Sequence, residues 1–219
     1  MWLTTRLYQL LIRRYILEEV KVQNIYLVCR SDFYNNNRIF DLNNPANRDN
    51  CYYPNYLLRQ KFQERNIRLD TYDYLGKSGD TQYKLLFFDV PKGYTNLLKQ
   101  HKGIEKYLVI FEPEHVYSVP WDKKLHVNFI KVFTWNDSLV DNKKYFKFCL
   151  PNEIPENVGA GLEDKTGFCT MIAGHKFVSH PLELYSERER AIRWFERNHP
   201  GDFDLYGVGW DRYYFAGAL

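Results

Sequence analysis

The chain has 219 residues, 45% of them apolar, 17% aromatic and 26% charged, and 30 Lys and Arg against 27 Asp and Glu leave a formal charge of +3. That wealth of aromatic side chains excludes a disordered chain, and the length suits one or two domains. The basic excess is too small for a dedicated nucleic-acid binder, and no uncharged apolar run reaches the ~18 residues that a membrane-spanning helix needs.

Residues 2–20 place Leu3, Leu7, Leu10, Leu11 and Leu17 at helical spacing, with Arg6, Arg13 and Arg14 among them. Such a basic amphipathic helix packs on its own domain or lies on a membrane surface, so residues 1–19 are a candidate peripheral membrane contact. Arg13 and Arg14 break the apolar run before a signal-peptide core forms, which favours a cytoplasmic protein.

Asn24–Cys29 reads as a strand, followed by a long Asn-rich loop running to Pro54. Loops of that length are usually functional or mobile. A helix is expected over 55–66, a strand over Ile67–Tyr74, a turn at Gly76–Asp80, and a buried strand at Lys84–Phe88. A helix over 94–102 and a buried strand at Lys106–Phe111 come next, then strands at Asn128–Phe133 and Tyr145–Cys149. Continuous apolar strands alternating with helices point to a doubly wound α/β domain whose parallel sheet is covered on both faces.

Residues 151–166 change character: Pro151, Pro155, Gly159 and Gly161 stand among four acids, the pattern of a linker. The α/β rhythm restarts with a strand at Phe168–Ala173, a helix at Leu182–Asn198 and a strand at Asp202–Gly207. One helix and two strands are too little to bury a parallel sheet, so this second unit is expected to be the opening of a larger domain.

The four cysteines Cys29, Cys51, Cys149 and Cys169 share no metal-ligand spacing with each other or with the histidines. Cys29, Cys149 and Cys169 lie in apolar runs and read as small buried thiols. Glu112 and Glu114, in Glu112-Pro113-Glu114-His115, directly follow a buried strand, where functional groups of parallel sheets gather. A carboxylate there, beside Phe111 and Pro113, is either a general base with a raised pKa or part of a solvated acidic loop. The charged helix from Ser186 carries pairs such as Glu187–Arg190 and Glu189–Arg193 and reads chiefly as a solvated face, with one Arg near its start a candidate phosphate ligand. Gly207-Val208-Gly209 lacks the third glycine and the helix of a dinucleotide fingerprint.

The run Ser179-His180-Pro181-Leu182-Glu183-Leu184-Tyr185-Ser186-Glu187-Arg188, then Ala191-Ile192-Arg193-Trp194-Phe195, then Asp202-Phe203-Asp204-Leu205-Tyr206-Gly207-Val208-Gly209-Trp210, resembles the opening of the donor-binding domain in the bacterial and viral branch of glycosyltransferase family 10, the fucosyltransferases. Tyr107 to His115 is similar to that family's strand-then-carboxylate segment, and the likeness spans about residues 105–210. The resemblance implies a GT-B fold of two Rossmann-like domains. It implies fucose transfer from GDP-fucose to a glycan hydroxyl with inversion, and no metal or other cofactor. It assigns the catalytic base to Glu112, with Glu114 as the alternative, and the donor diphosphate to Arg188. Its later Phe-Glu-Asn and Thr-Glu-Lys motifs do not occur before Leu219, so an amino-terminal portion is expected. The acceptor-side domain would span 1–150, the linker 151–166 and the start of the donor domain 167–219. The competing expectations are a non-catalytic carbohydrate-binding remnant and a related transferase using another nucleotide sugar.

Overall fold

The computed structural model describes residues 24–153, 161, 163, 165–211, 214 and 215. The helix expected over 2–20, with its membrane contact, lies outside the described residues, as do residues 154–160, 162 and 164 of the expected linker. The chain forms two compact units, Met1–Glu156 and Asn157–Leu219.

The first unit is an α/β domain built on a six-stranded sheet. Its strands are β1 (Asn24–Cys29), β2 (Arg68–Thr71), β3 (Lys84–Phe88), β4 (Lys106–Ile110), β5 (Lys131–Thr134) and β6 (Tyr145–Lys147). Every pairing is parallel and the order is β2-β1-β3-β4-β5-β6. The order reverses between β1 and β3, which makes that point the topological switch where open α/β sheets hold ligands.

Strand residues alternate between two buried faces, as a parallel sheet covered on both sides requires. Leu27, Leu86, Val109 and Phe133 pack with Leu58 and Phe62 of helix α1 (Tyr53–Gln63). Val28, Phe87, Leu108 and Val132 pack on the other face, against Leu125 and Phe129. The one-turn helix α2 (Leu75–Ser78) and helix α3 (Tyr94–Gln100) add Leu75, Leu97 and Leu98 to that second face. Each such apolar side chain removed from water contributes ~1.5–3 kcal/mol.

Several expected boundaries move for local reasons. The strand predicted over Ile67–Tyr74 ends at Thr71, because Asp73 accepts hydrogen bonds from the Thr71 hydroxyl and the Asn36 amide and turns the chain into a 3-10 turn at Tyr72–Tyr74. The turn expected at Gly76–Asp80 is largely α2. The strand predicted from Asn128 begins at Lys131, because Leu125–Asn128 close a 3-10 turn with the Asn128 side-chain amide donating to the Leu125 carbonyl. Cys149 is exposed rather than buried: it lies beyond the short edge strand β6, while Cys29 and Cys169 are partly buried.

The second unit pairs β7 (Cys169–Ile172) in parallel with β8 (Phe203–Tyr206), connected through helix α4 (Tyr185–Asn198). Ile192 is the buried residue of α4 and packs with Phe203, Leu205 and Phe215. The helix starts at Tyr185, not at Leu182, because the Glu183 carboxylate accepts the Tyr185 and Ser186 amides and stands in for the missing first-turn bonds. Gly207 sits at φ 133°, and a Cβ there would lie 2.1 Å from the Ala173 carbonyl oxygen. The Gly-x-Gly is therefore a close backbone approach beside β7. Among the described residues no helix is long and apolar enough to cross a membrane.

Candidate functional site

The register sets Cys29 opposite Phe88, and Phe88 opposite Val109. The chain therefore leaves β1 at Arg30, β3 at Asp89 and β4 at Phe111–Glu112 side by side along the carboxyl edge of the sheet. A cavity of about 890 Å³ opens there, at the switch point. Arg30, Asp89, Phe111, Glu112 and Tyr117 line it from the strand ends. The Asn-rich loop supplies another wall, including Asp32, Tyr34 and Tyr52, and the start of α1 adds Asn55.

That loop is ordered by its own polar side chains. The Asn37 side chain accepts the Thr71 amide at 2.8 Å and donates to Asp70 at 2.9 Å, and the Asn47 side chain accepts the Tyr52 amide at 2.8 Å. Asn36, Asn37, Asp49 and Asn50 take left-handed backbone, which short polar residues tolerate best after glycine. The asparagines thus shape a wall of the cavity.

Glu112 stands at the rim. Its Oε1 lies 3.7 Å from Arg30 Nη1, and the two side chains are 41% and 44% exposed, so the pair is solvated and weak. The Arg30 guanidinium also lies over the Tyr117 ring, 4.2 Å from its centroid. The main chain that carries Glu112 is held firmly. The Phe111 amide donates to Asp89 Oδ1 at 3.0 Å, the Trp135 indole donates to the Phe111 carbonyl at 3.1 Å, and the Trp121 indole donates to the Glu112 carbonyl at 2.8 Å. The Phe111 ring meets those of Phe88 and Phe148 edge-on at 4.8 and 5.3 Å. Glu114, two residues on, is exposed and is not among the residues lining the cavity.

Asp89 is buried, and burial pushes its carboxyl up to about 6, aided by the charge of Glu112; the Phe111 and Glu112 amides and Arg30 pull the other way. Burial likewise raises the Cys29 thiol to about 12, with Asp73 adding to it, so this cavity-lining cysteine is no nucleophile. Burial also raises the Tyr34 and Tyr117 phenols. The cavity therefore offers aromatic faces, hydroxyl and amide groups, the Arg30 guanidinium and Lys92 ammonium, and the three carboxyls of Asp32, Asp89 and Glu112. That mixture suits a neutral polyhydroxylated ligand better than a polyanion.

Arg188 belongs to the second unit. It lies on the first turns of α4, half-buried, with its guanidinium 5.0 Å from the Tyr185 ring centroid. The neighbouring charges behave as a paired face, with Arg190 on Glu187 and Arg193 on Glu196. Among the described residues no group of three or more His, Cys, Asp or Glu is placed to hold a metal.

Sequence reasoning singled out Glu112 but passed over Arg30 and Asp89. The rule that pointed to Glu112, a charged residue directly after a buried parallel strand, applies equally to both. No protein-family model, curated protein or solved structure matches the chain.

Proposed function

We propose that this protein is an inverting glycosyltransferase of the fucosyltransferase type. In this reading the switch-point cavity receives the acceptor sugar, Glu112 removes the proton from the attacking hydroxyl, and Arg188 pairs with the diphosphate of GDP-fucose. Assignment to the GT-B class belongs to the same proposal. The observation that carries it is the placement of Glu112: it lines a cavity at the carboxyl edge of a parallel sheet on a main chain fixed by Asp89, Trp121 and Trp135. A general base must hold its place while the hydroxyl attacks, and a rigid strand end provides that. The aromatic rings of Tyr34, Tyr52, Phe111 and Tyr117 around the cavity suit stacking on a pyranose. The alternative base Glu114 lacks such a placement.

The test is fucose transfer from GDP-fucose to a panel of glycans, by wild type, Glu112→Gln and Glu114→Gln, alongside GDP titration. Glu112→Gln should lose ~10²–10⁴-fold in turnover and keep GDP binding, while Glu114→Gln should lose far less. Arg188→Ala should weaken GDP binding by about 1.5–3 kcal/mol, the worth of a charge-assisted contact. Equal turnover by all three carboxylate forms rejects Glu112 as base. Sugar binding without transfer by wild type favours a carbohydrate-binding protein.

A further inference from the structure

We propose that Asp89 is a positioning residue, a buried carboxylate that clamps the main chain leaving β4 and so fixes Glu112 at the cavity rim. The inference rests on the reading of Glu112 as the base, and its structural half can be tested without any ligand.

The geometry is specific. β3 ends at Phe88, and the next residue turns into left-handed backbone, with Asp89 at φ 52°. Its own amide still donates to the Val109 carbonyl at 2.9 Å, so the residue stays stitched to β4. From that fixed point its side chain reaches the first amide beyond β4, that of Phe111, at 3.0 Å, and it is also bonded by the Glu112 amide. The carboxylate thus extends the β3–β4 pairing past the end of the ladder, onto the two residues that place the candidate base. The two tryptophan indoles hold the carbonyls of the same two residues. Asp89 is the member of this set that holds the amides.

A buried carboxylate is a costly choice for an anchor. An asparagine could accept the Phe111 amide without charge, so the charge calls for a reason. Charge-assisted bonds are shorter and roughly twice as strong as neutral ones. The carboxyl, raised to about 6, changes charge just below neutrality, so the clamp is tight at pH 7 and loosens in mild acid. The charged and titratable groups that line the cavity with it are Cys29, Arg30, Asp32, Tyr34, Cys51 and Tyr52 before β2, Lys92 beyond β3, and Glu112 and Tyr117 beyond β4. Burial raises the Cys29 thiol and the Tyr34, Tyr52 and Tyr117 phenols, and these stay neutral through that range.

The experiment follows the Phe111 amide proton by NMR from pH 4 to 8 in wild type, Asp89→Asn, Asp89→Ala and Glu112→Gln, with amide exchange measured at pH 7. In wild type its shift should titrate with a midpoint near 6, because a carboxylate acceptor deshields the proton it binds. Asp89→Asn should abolish the titration yet keep the amide protected. Asp89→Ala should speed exchange at Phe111 and Glu112 by about tenfold or more, as expected for a lost bond of ~1.4 kcal/mol. Glu112→Gln should lower the midpoint by removing the neighbouring charge. In transfer assays Asp89→Ala should lower kcat with little change in KM, and Asp89→Asn should flatten the acid limb of the pH profile. A Phe111 amide that does not titrate in wild type, or titrates equally in Asp89→Asn, overturns the clamp. If Asp89→Ala fails to fold, the wild type and Asp89→Asn titrations still decide. Absence of transfer by wild type, with the amide results as expected, overturns the transferase reading and leaves the clamp standing.

Discussion

Asp89→Asn should make the first unit more stable at neutral pH, and the gain should vanish in acid. The Asp89 carboxyl is raised from 3.8 to about 6 by burial, and it is 5% exposed, so little solvent screens it. At 1.36 kcal/mol per tenfold, that shift means the folded state carries a charge whose burial costs about 3 kcal/mol above pH 6. The sign follows from proton binding. Between pH 4 and 6 the folded carboxyl keeps its proton while the unfolded one has lost it, so stability from this group falls as pH rises through that window and is flat above it. Asp89→Asn keeps an oxygen for the Phe111 amide and removes the ionisation. Its advantage should be near zero at pH 4 and about 3 kcal/mol at pH 7.5, or ~6–12 °C in Tm for a unit of this size. Amide exchange at Leu86, Phe87 and Leu108, in the core of the first unit, reads that stability separately from the second unit. A difference between the two proteins that is constant from pH 4 to 8, or a variant less stable at pH 7.5, refutes the reasoning.

The histidines of the same unit act in the opposite sense. His101 sits between the Tyr72 and Tyr83 hydroxyls at 2.7 and 2.8 Å, and His126 bonds the Pro120 carbonyl and the Tyr145 hydroxyl. Burial lowers both below the ordinary histidine value, so their contribution should be lost as pH falls below about 6.5, and His101→Gln should flatten that acid limb of an unfolding curve. With its thiol at about 12, Cys29 should react with iodoacetamide at pH 8 on the order of 10³-fold more slowly than a free cysteine, as timed mass spectrometry would show. Ile192→Ala should cost the second unit ~2–5 kcal/mol and strip amide protection from β7 and β8 while leaving β3 and β4 protected, because Ile192 is fully buried in a small core.

The sheet was legible because buried parallel strands are written as unbroken apolar runs. Lys84-Leu85-Leu86-Phe87-Phe88 and Lys106-Tyr107-Leu108-Val109-Ile110 can be read directly, and both are buried throughout. Strand ends were less legible wherever a polar side chain competes with the ladder, as Asp73 does after β2 and Asn128 does before β5. The Asn-rich loop looked like a gap in the pattern. Its order comes from pairings such as Asn37 with Thr71 and Asp70, more than thirty residues away, which no local periodicity records. Burial of charge was also hidden. Local sequence placed the apolar neighbours beside Glu112, yet the buried carboxyl at this edge of the sheet is Asp89, which accepts the Phe111 amide of the next strand exit.

Three consecutive exits along the carboxyl edge present Arg30, Asp89 and Glu112, residues far apart in the chain and neighbours only because β1, β3 and β4 run parallel in that order. All three strands lie inside the sheet, so the difference between the exits comes from local bonding: Asp89 turns left-handed at once after β3 and accepts the Phe111 amide. Asp89 is buried and bonded to main chain, while Arg30 and Glu112 are nearly half exposed and lie 3.7 Å apart. A buried carboxylate is suited to holding structure, and a half-exposed one is suited to meeting a substrate. The two acids therefore differ in burial and in bonding, and exchanging Asp89 for a neutral acceptor should weaken the charge-assisted hold on the Phe111 and Glu112 amides without emptying the cavity of its reactive group.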